Sequence, residues 1–115
     1  MRMWMVDPAI MCQRHLLGEH AELHMFVGHL ARGRHVRGYV ENNCFELESL
    51  YKRHEALARE MHNRKYTHAS PLQFTAQNTV HLTEFETMSK VNRSASLAEL
   101  TGRCPKCFAR WQERR

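Results

Sequence analysis

A long stretch without proline, from Ala9 to about Leu30, constrains the fold of this chain most strongly. Its apolar side chains recur at spacings compatible with a helix, at Met11, Leu16, Leu23, Phe26 and Leu30. Asp7 is a residue type that caps helices, Pro8 fits a first helical turn, and Gly33 follows the last apolar residue of the pattern. The sequence therefore predicts one long helix near the N-terminus.

A second helix is predicted from about Phe45 to Asn63. Before it, Gly38, Asn42 and Asn43 indicate a loop over residues 34–43. The helix itself is indicated by side chains that step by three and four, at Leu47, Leu50, Tyr51, His54, Leu57, Ala58 and Met61.

The C-terminal part carries two shorter helix patterns. Ser96 and Glu99 form a capping-box pattern that opens a third helix, which Gly102 ends. Pro105 then begins a short basic helix that includes Phe108 and Trp111. Residues 64–95 stay open, because Thr, Asn and Ser residues alternate with an apolar series that favours a short helical stretch, at Leu82, Phe85, Met88 and Val91.

These patterns predict an all-α fold with about three main helices in one domain over residues 1–115. No stretch approaches the roughly 18 apolar residues that a membrane span needs, and no cleavage site of a secretory signal follows the N-terminal apolar residues. We therefore expect a cytoplasmic protein with no membrane partner. The net charge is +5, and two basic ends flank an acidic middle, which favours a groove that binds a nucleic acid backbone.

Polar side chains gather on one side of the first predicted helix. At 100° per residue, one sector of about 80° contains His15, Glu19, Glu22, Phe26 and His29. Such a face is either a solvated surface or a site, and spacing alone leaves both open. His20 and His24 lie one turn apart, but Glu22 points to the other side of the helix from them, so the zinc-protease arrangement is not matched and ordinary packing or surface roles are expected.

Met1-Arg2, the run from His15 to Leu23 with the pattern H-L-x-x-E-x-x-E-L, and the following Phe26-Val27-Gly28 resemble the pyrimidine-dimer DNA glycosylases of the phage endonuclease V type. The layout of the second helix is also similar, so the resemblance covers about residues 1–68. It implies a DNA repair glycosylase with abasic-site lyase activity that acts on damaged double-stranded DNA. It further implies no cofactor, and we expect a monomer.

The resemblance also implies the roles of individual residues. The nucleophile would be the α-amino group of Met1, because an α-amine has a pKa of about 7.7–8.0 and is partly uncharged near neutral pH. The bulky Arg2 disfavours removal of the initiator, so Met1 is expected to stay. Glu22 takes the position of the catalytic carboxylate, and Glu19 would support the helix or the site.

Two positions depart from the family pattern. Members specific for dimers carry basic residues immediately before the catalytic Glu and three residues after it, where this chain has Ala21 and Met25. The lesion therefore stays open between a pyrimidine dimer and another damaged base. The contacts to DNA are expected from other residues, namely Arg2, Arg14, His15, Lys52, Arg53, Arg103 and Lys106.

Four cysteines complete the sequence features. Cys104 and Cys107 form one half of a zinc-ribbon pattern, whereas Cys12 and Cys44 are isolated, so a metal site would need these or His residues brought in by the fold. We expect reduced thiols and assign no metal ligand from sequence. Two alternatives to the glycosylase stay open: a non-catalytic nucleic-acid-binding protein on the same scaffold, and a small zinc-binding protein.

Overall fold

Six α-helices and three short 3-10 turns make up the regular structure of residues 1–67 and 70–114, the part that the computed structural model describes. The helices are α1 (Gln13–Ala31), α2 (Arg37–Glu41), α3 (Leu50–Asn63), α4 (Glu84–Thr87), α5 (Arg93–Arg103) and α6 (Pro105–Glu113). No strand occurs in this part, so the predicted all-α class is confirmed. None of its helices combines the length and apolar character that crossing a bilayer requires.

The first long helix begins later than predicted. The Asp7 carboxylate accepts a hydrogen bond from the Ala9 N–H at 3.0 Å, but it caps the 3-10 turn Pro8–Ile10 rather than α1. Met11 and Cys12 then adopt extended backbone angles and are buried. The helix does not begin there, because the extended backbone carries the Met11 and Cys12 side chains into the interior. The predicted end is close, since Gly33 has a left-handed φ of 75° just beyond α1.

The second helix also begins later than predicted, at Leu50, after the 3-10 turn Leu47–Ser49. Phe45 and Glu46 lie beside the N-terminal segment, because the Met3 N–H donates to the Cys44 carbonyl at 2.7 Å and the Glu46 N–H contacts Met3 Sδ at 3.3 Å. The predicted loop over 34–43 was wrong in part, since it contains the short α2.

The C-terminal helices differ from the prediction at one start. Asn92, not Ser96, caps α5, because its side chain accepts from the Ala95 N–H at 2.9 Å. Ser96 is buried and donates its hydroxyl to the Trp4 carbonyl. The start of α6 at Pro105 is confirmed, with Cys104 as its cap, and the open region contains the single-turn helix α4, which a Thr83–Glu86 capping box begins.

The apolar core lies between α1, α3 and the N-terminal segment. A bidentate ion pair lies inside it: Arg53 donates to the two oxygens of Glu19 at 2.6 and 2.8 Å and to the Val6 carbonyl at 2.5 Å. Arg53 is 6% exposed and Glu19 is 2% exposed. Glu19 therefore supports the helix packing, and the expectation that Arg53 contacts DNA is wrong because its guanidinium is enclosed.

Candidate active site

The first residues of the chain are held against the body of the protein by backbone contacts. Met3 is fully buried, and its N–H bonds the Cys44 carbonyl. Trp4 is nearly buried, and its carbonyl accepts the Ser96 hydroxyl. These contacts anchor the chain directly after Met1 and Arg2.

The carboxylate of Glu22 meets this segment from α1. Its Oε1 accepts a hydrogen bond from the Arg2 backbone N–H at 2.7 Å. Only the backbone of Met1 separates that N–H from the terminal amine, so the carboxylate and the amine share one small region. Both residues are partly exposed, as a site open to a large substrate requires.

The Arg2 side chain pairs with Glu99 and covers the Trp4 ring. Its Nη1 bonds Glu99 Oε2 at 2.8 Å, and its guanidinium carbon is 3.6 Å from the centroid of the Trp4 ring. Its Nε and Nη2 are buried and have no hydrogen-bond partner within residues 1–67 and 70–114. Leaving these two buried donors unsatisfied is costly.

A pocket of about 510 Å³ opens next to the terminus. Its lining residues are Met1, His24, Met25, Gly28, His29, Arg32 and Tyr39. A Cβ at position 28 would lie 3.4 Å from the Arg32 guanidinium, so the Arg32 side chain lies over Gly28. Arg32 was not among the residues predicted from sequence. It follows Met25 and Gly28 at helical spacing, and these three residues line the pocket together with Met1.

The single polar face predicted for α1 is divided in the structure. Glu19 and Phe26 are buried in the core, and His29 Nε2 lies 2.8 Å from the His35 carbonyl oxygen. Glu22 and His15 both meet the N-terminal segment, Glu22 at the Arg2 N–H and His15 at the Trp4 ring. The sector follows from helix geometry, but α1 packs Glu19 and Phe26 from it into the core.

Comparison with known families decides how this site is interpreted. The family model described as pyrimidine dimer DNA glycosylase matches residues 1–74, which is more than half of the chain. The chain belongs to this family. The resemblance seen in the sequence is confirmed, and the substrate of the glycosylase is DNA. No curated protein and no solved structure matches it.

The basic residues predicted to contact DNA occupy different places in the glycosylase. Arg103 pairs with Glu99 at 2.5 Å and lies 5.7 Å from the Trp4 ring, on the same ring that Arg2 covers. Arg14 and Lys106 are exposed and line one pocket, and Lys52 is exposed on α3. The structure therefore gathers Arg2 and Arg103 at Trp4, with Arg14 and Lys106 together elsewhere.

Three histidines converge beside the pocket of the glycosylase. The rings of His20, His24 and His54 have centroids 4.7–5.0 Å apart, and His24 Nε2 lies 3.1 Å from His54 Nε2. One nitrogen of each ring lies within 4.8 Å of the others, close enough to share a metal ion. The sequence showed the pair on α1 but not His54, because that residue reaches the pair from α3 through tertiary packing.

A second cluster joins the two ends of the chain. Cys12, His15, Cys104 and Cys107 each direct a ligand atom to one point, and these atoms all lie within 4.8 Å of one another. Burial, with the charges of Arg14 and Arg103, lowers the pKa of His15. The Nδ1 atom of His15 faces the Cys12 and Cys107 sulfurs, although the residue is partly exposed, so the structure brings His15 to the cysteines rather than to the other predicted DNA contacts. The sequence position of Cys12 indicated an isolated cysteine, but in the structure Cys12 belongs to the cluster. Cys44 lies outside the cluster and bonds the Asn42 carbonyl.

Proposed function

We propose that this glycosylase is also an abasic-site lyase whose nucleophile is the Met1 α-amine and whose catalytic carboxylate is Glu22. The observation that carries the proposal is the hydrogen bond from the Arg2 N–H to Glu22 Oε1 at 2.7 Å. It holds the carboxylate close to the α-amino group that the proposal uses as the nucleophile.

The proposed reaction uses these groups in sequence. The lone pair of the amine nitrogen forms a bond to C1′ of the damaged nucleotide, the glycosidic C–N bond breaks, and the base leaves with the electron pair of that broken bond. Loss of the amine proton and opening of the sugar ring produce an iminium at C1′. Removal of a C2′ proton then expels the 3′ phosphate by β-elimination, which breaks the C3′–O bond and cuts the strand.

Glu22 has two functions in this scheme. Its negative charge stabilises the cationic sugar and the iminium, and its oxygens accept and return protons during the elimination. General acid-base catalysis of this kind contributes about 10²–10⁴-fold. The fixed position on α1 means that the carboxylate needs no rearrangement when the substrate binds.

The proposed substrate is double-stranded DNA that contains a pyrimidine dimer or another damaged base. The pocket beside Met1 has room for an extrahelical nucleotide, and the positive charge of the neighbouring Arg2 favours a flanking phosphate. Met25, which is 55% exposed in that pocket, offers apolar contact where dimer-specific members have a basic residue. We propose that one chain acts alone as a single-domain monomer, without a cofactor in this reaction.

Borohydride trapping tests the amine mechanism directly. Protein without a tag is incubated with a duplex that contains one abasic site, the imine is reduced, and the modified residue is found by mass spectrometry. We expect a covalent adduct on Met1 that disappears when the N-terminus is extended by two residues. An adduct on a lysine contradicts Met1 as the nucleophile. No adduct contradicts the imine mechanism and favours a protein that binds nucleic acid without catalysis.

Two carboxylate variants refine this test. Glu22→Gln is expected to slow strand cleavage by about 10²–10⁴-fold. Glu41→Gln, which changes an exposed carboxylate outside the site, is expected to leave the rate unchanged.

A further inference from the structure

We propose that Cys12, His15, Cys104 and Cys107 bind a zinc ion that fastens the C-terminal helices to the start of α1. Reduced thiols without metal were expected from sequence, and the geometry of the folded chain points instead to a metal site. The inference does not depend on the amine mechanism, because none of these four residues acts in that reaction.

The distances fit one tetrahedral ion. Cys12 Sγ is 3.8 Å from Cys104 Sγ and 3.2 Å from His15 Nδ1, and Cys107 Sγ is 3.7 Å from the same nitrogen. Zinc bonds of about 2.3 Å to sulfur and about 2.0–2.1 Å to nitrogen place ligand atoms of a tetrahedron about 3.5–3.8 Å apart. The four atoms need only small shifts to reach that geometry.

The ligand set is the type that closed structural zinc sites use. Three cysteines and one histidine are a standard set, and each pair has the short spacing of a zinc knuckle: Cys12 with His15, and Cys104 with Cys107. Cys12 and Cys107 are buried, while His15 and Cys104 are partly exposed beside a pocket that gives an ion a way in. Binding releases three thiol protons and leaves one zinc held by three thiolates and a neutral imidazole.

The surroundings suit the charge of such a site. Zinc with three thiolates carries a net charge of −1, and Arg14, Lys106 and Arg103 lie close to the cluster. The Cys12 N–H donates to Cys107 Sγ at 3.2 Å, and the Cys107 N–H donates to Cys104 Sγ at 3.5 Å. Amide groups that donate to ligand sulfurs orient them and stabilise the thiolate form.

A disulfide explains less of the arrangement. A bond between any two of the sulfurs would leave the third sulfur and the imidazole gathered at the same point without a function. Convergence of all four ligand atoms is what one shared ion requires.

The position of the ion indicates its role. Cys107 is the only buried side chain of α6 among the described residues, so apolar burial attaches this helix weakly. His15 also contacts the Trp4 ring, edge to face at a centroid distance of 5.9 Å, and Arg2 covers that ring. Zinc would thus fix the position of α6 relative to the Trp4 ring that Arg2 covers.

Metal analysis of the full chain tests the proposal. The protein is purified without a polyhistidine tag or chelator and its metals are measured by mass spectrometry. We expect about one zinc per chain, lost in Cys12→Ser and Cys107→Ser and retained in the matched control Cys44→Ser. Chelation is expected to lower the Tm of the wild type by about 10 °C or more, and of the Cys44→Ser variant equally.

Two measurements keep the test decisive if the serine variants fail to fold. His15→Cys supplies a fourth thiolate and is expected to retain zinc, whereas His15→Ala is expected to lose it. Cobalt added to chelated, refolded wild type is expected to produce thiolate-to-metal charge-transfer absorption, which the three-histidine cluster cannot produce because it contains no sulfur. Absence of both zinc and this absorption overturns the proposal, as does zinc that His54→Ala removes and Cys12→Ser leaves in place.

Discussion

In residues 1–74, α1 and α3 bury a continuous set of apolar side chains around the Glu19–Arg53 pair, whereas residues 75–114 contribute few. Within the described chain, the buried apolar side chains of the later region are Val91, Leu100 and Cys107. Its attachment depends instead on polar groups. The region that matches the family model supplies most of the core, and the later region docks onto it and adds Leu100 and Cys107.

Two buried carboxylates carry much of this docking. Glu46 accepts from the Val91 N–H at 2.8 Å and from Arg93 at 2.6 and 3.0 Å. Glu86 accepts from the Val36 N–H at 2.5 Å and lies 2.8 Å from His35 Nδ1. Burial alone would raise the pKa of each, but these hydrogen bonds outweigh it and hold both near 2. We therefore expect that substitutions at the proposed catalytic site and substitutions at these docking contacts have separate effects.

The largest effect is expected at the site in the first region. Glu22→Gln is expected to lower the rate of strand cleavage by about 10²–10⁴-fold and to change the Tm by less than about 2 °C, because Glu22 is partly exposed and outside the core. Single-turnover kinetics and a thermal melt measure the two quantities. An equal loss of rate in Arg103→Gln would show that the docked region takes part in the chemistry.

Breaking the Glu19–Arg53 ion pair tests how much the core between α1 and α3 depends on it. Arg53→Met leaves the Glu19 carboxylate buried without its partner, which is expected to cost about 3–5 kcal/mol in the free energy of unfolding. The double variant Glu19→Met with Arg53→Met is expected to recover most of this loss, since no charge stays buried. Urea denaturation measures both, and Arg37→Met, from an exposed pair, serves as the control with less than about 0.5 kcal/mol. A double variant as unstable as the single one would contradict this account.

The docking contacts should be sensitive to acid. Glu46→Gln is expected to cost about 1–3 kcal/mol at pH 7. The folded carboxyl has a pKa of about 2 and its ordinary value is 4.5, so its contribution is complete above pH 4.5 and is lost as the pH falls toward 2. The gap between wild type and variant in urea melts should therefore close over that range. The exposed Glu48→Gln should show no such gap, and a gap for Glu46→Gln that persists at pH 2.5 would argue against the carboxylate as its source.

The smallest effects are expected from exposed lysines, one in each region. Lys52→Gln and Lys106→Gln are each expected to lower the slope of log affinity against log salt by about 1, with similar weakening on damaged and undamaged duplexes. Fluorescence anisotropy at several salt concentrations measures this slope. If Lys52→Gln alone changes it, the docked region does not contact DNA at that position.

How well the sequence predicted a feature depends on how far apart in the chain the residues that form it lie. The long helix and the start of α6 follow from periodicity and a proline, which are local signals. Glu22 and the N-terminus lie 20 residues apart in the chain, and the family resemblance, not local spacing, implied that they share a site. The start of α1 was misplaced because Asp7 caps equally well a 3-10 turn or an α-helix, and backbone propensity does not distinguish them.

By itself, the sequence determined the helical class, the family and the residues on α1 from which the chemistry is proposed, because these depend on local spacing. Only the tertiary structure decided that Arg53 is enclosed, that His54 joins His20 and His24, and that Cys12 meets Cys107. Each of those outcomes depends on how helices distant in the chain pack against each other. Packing of that kind is set by the summed burial of many side chains, and no single spacing encodes it.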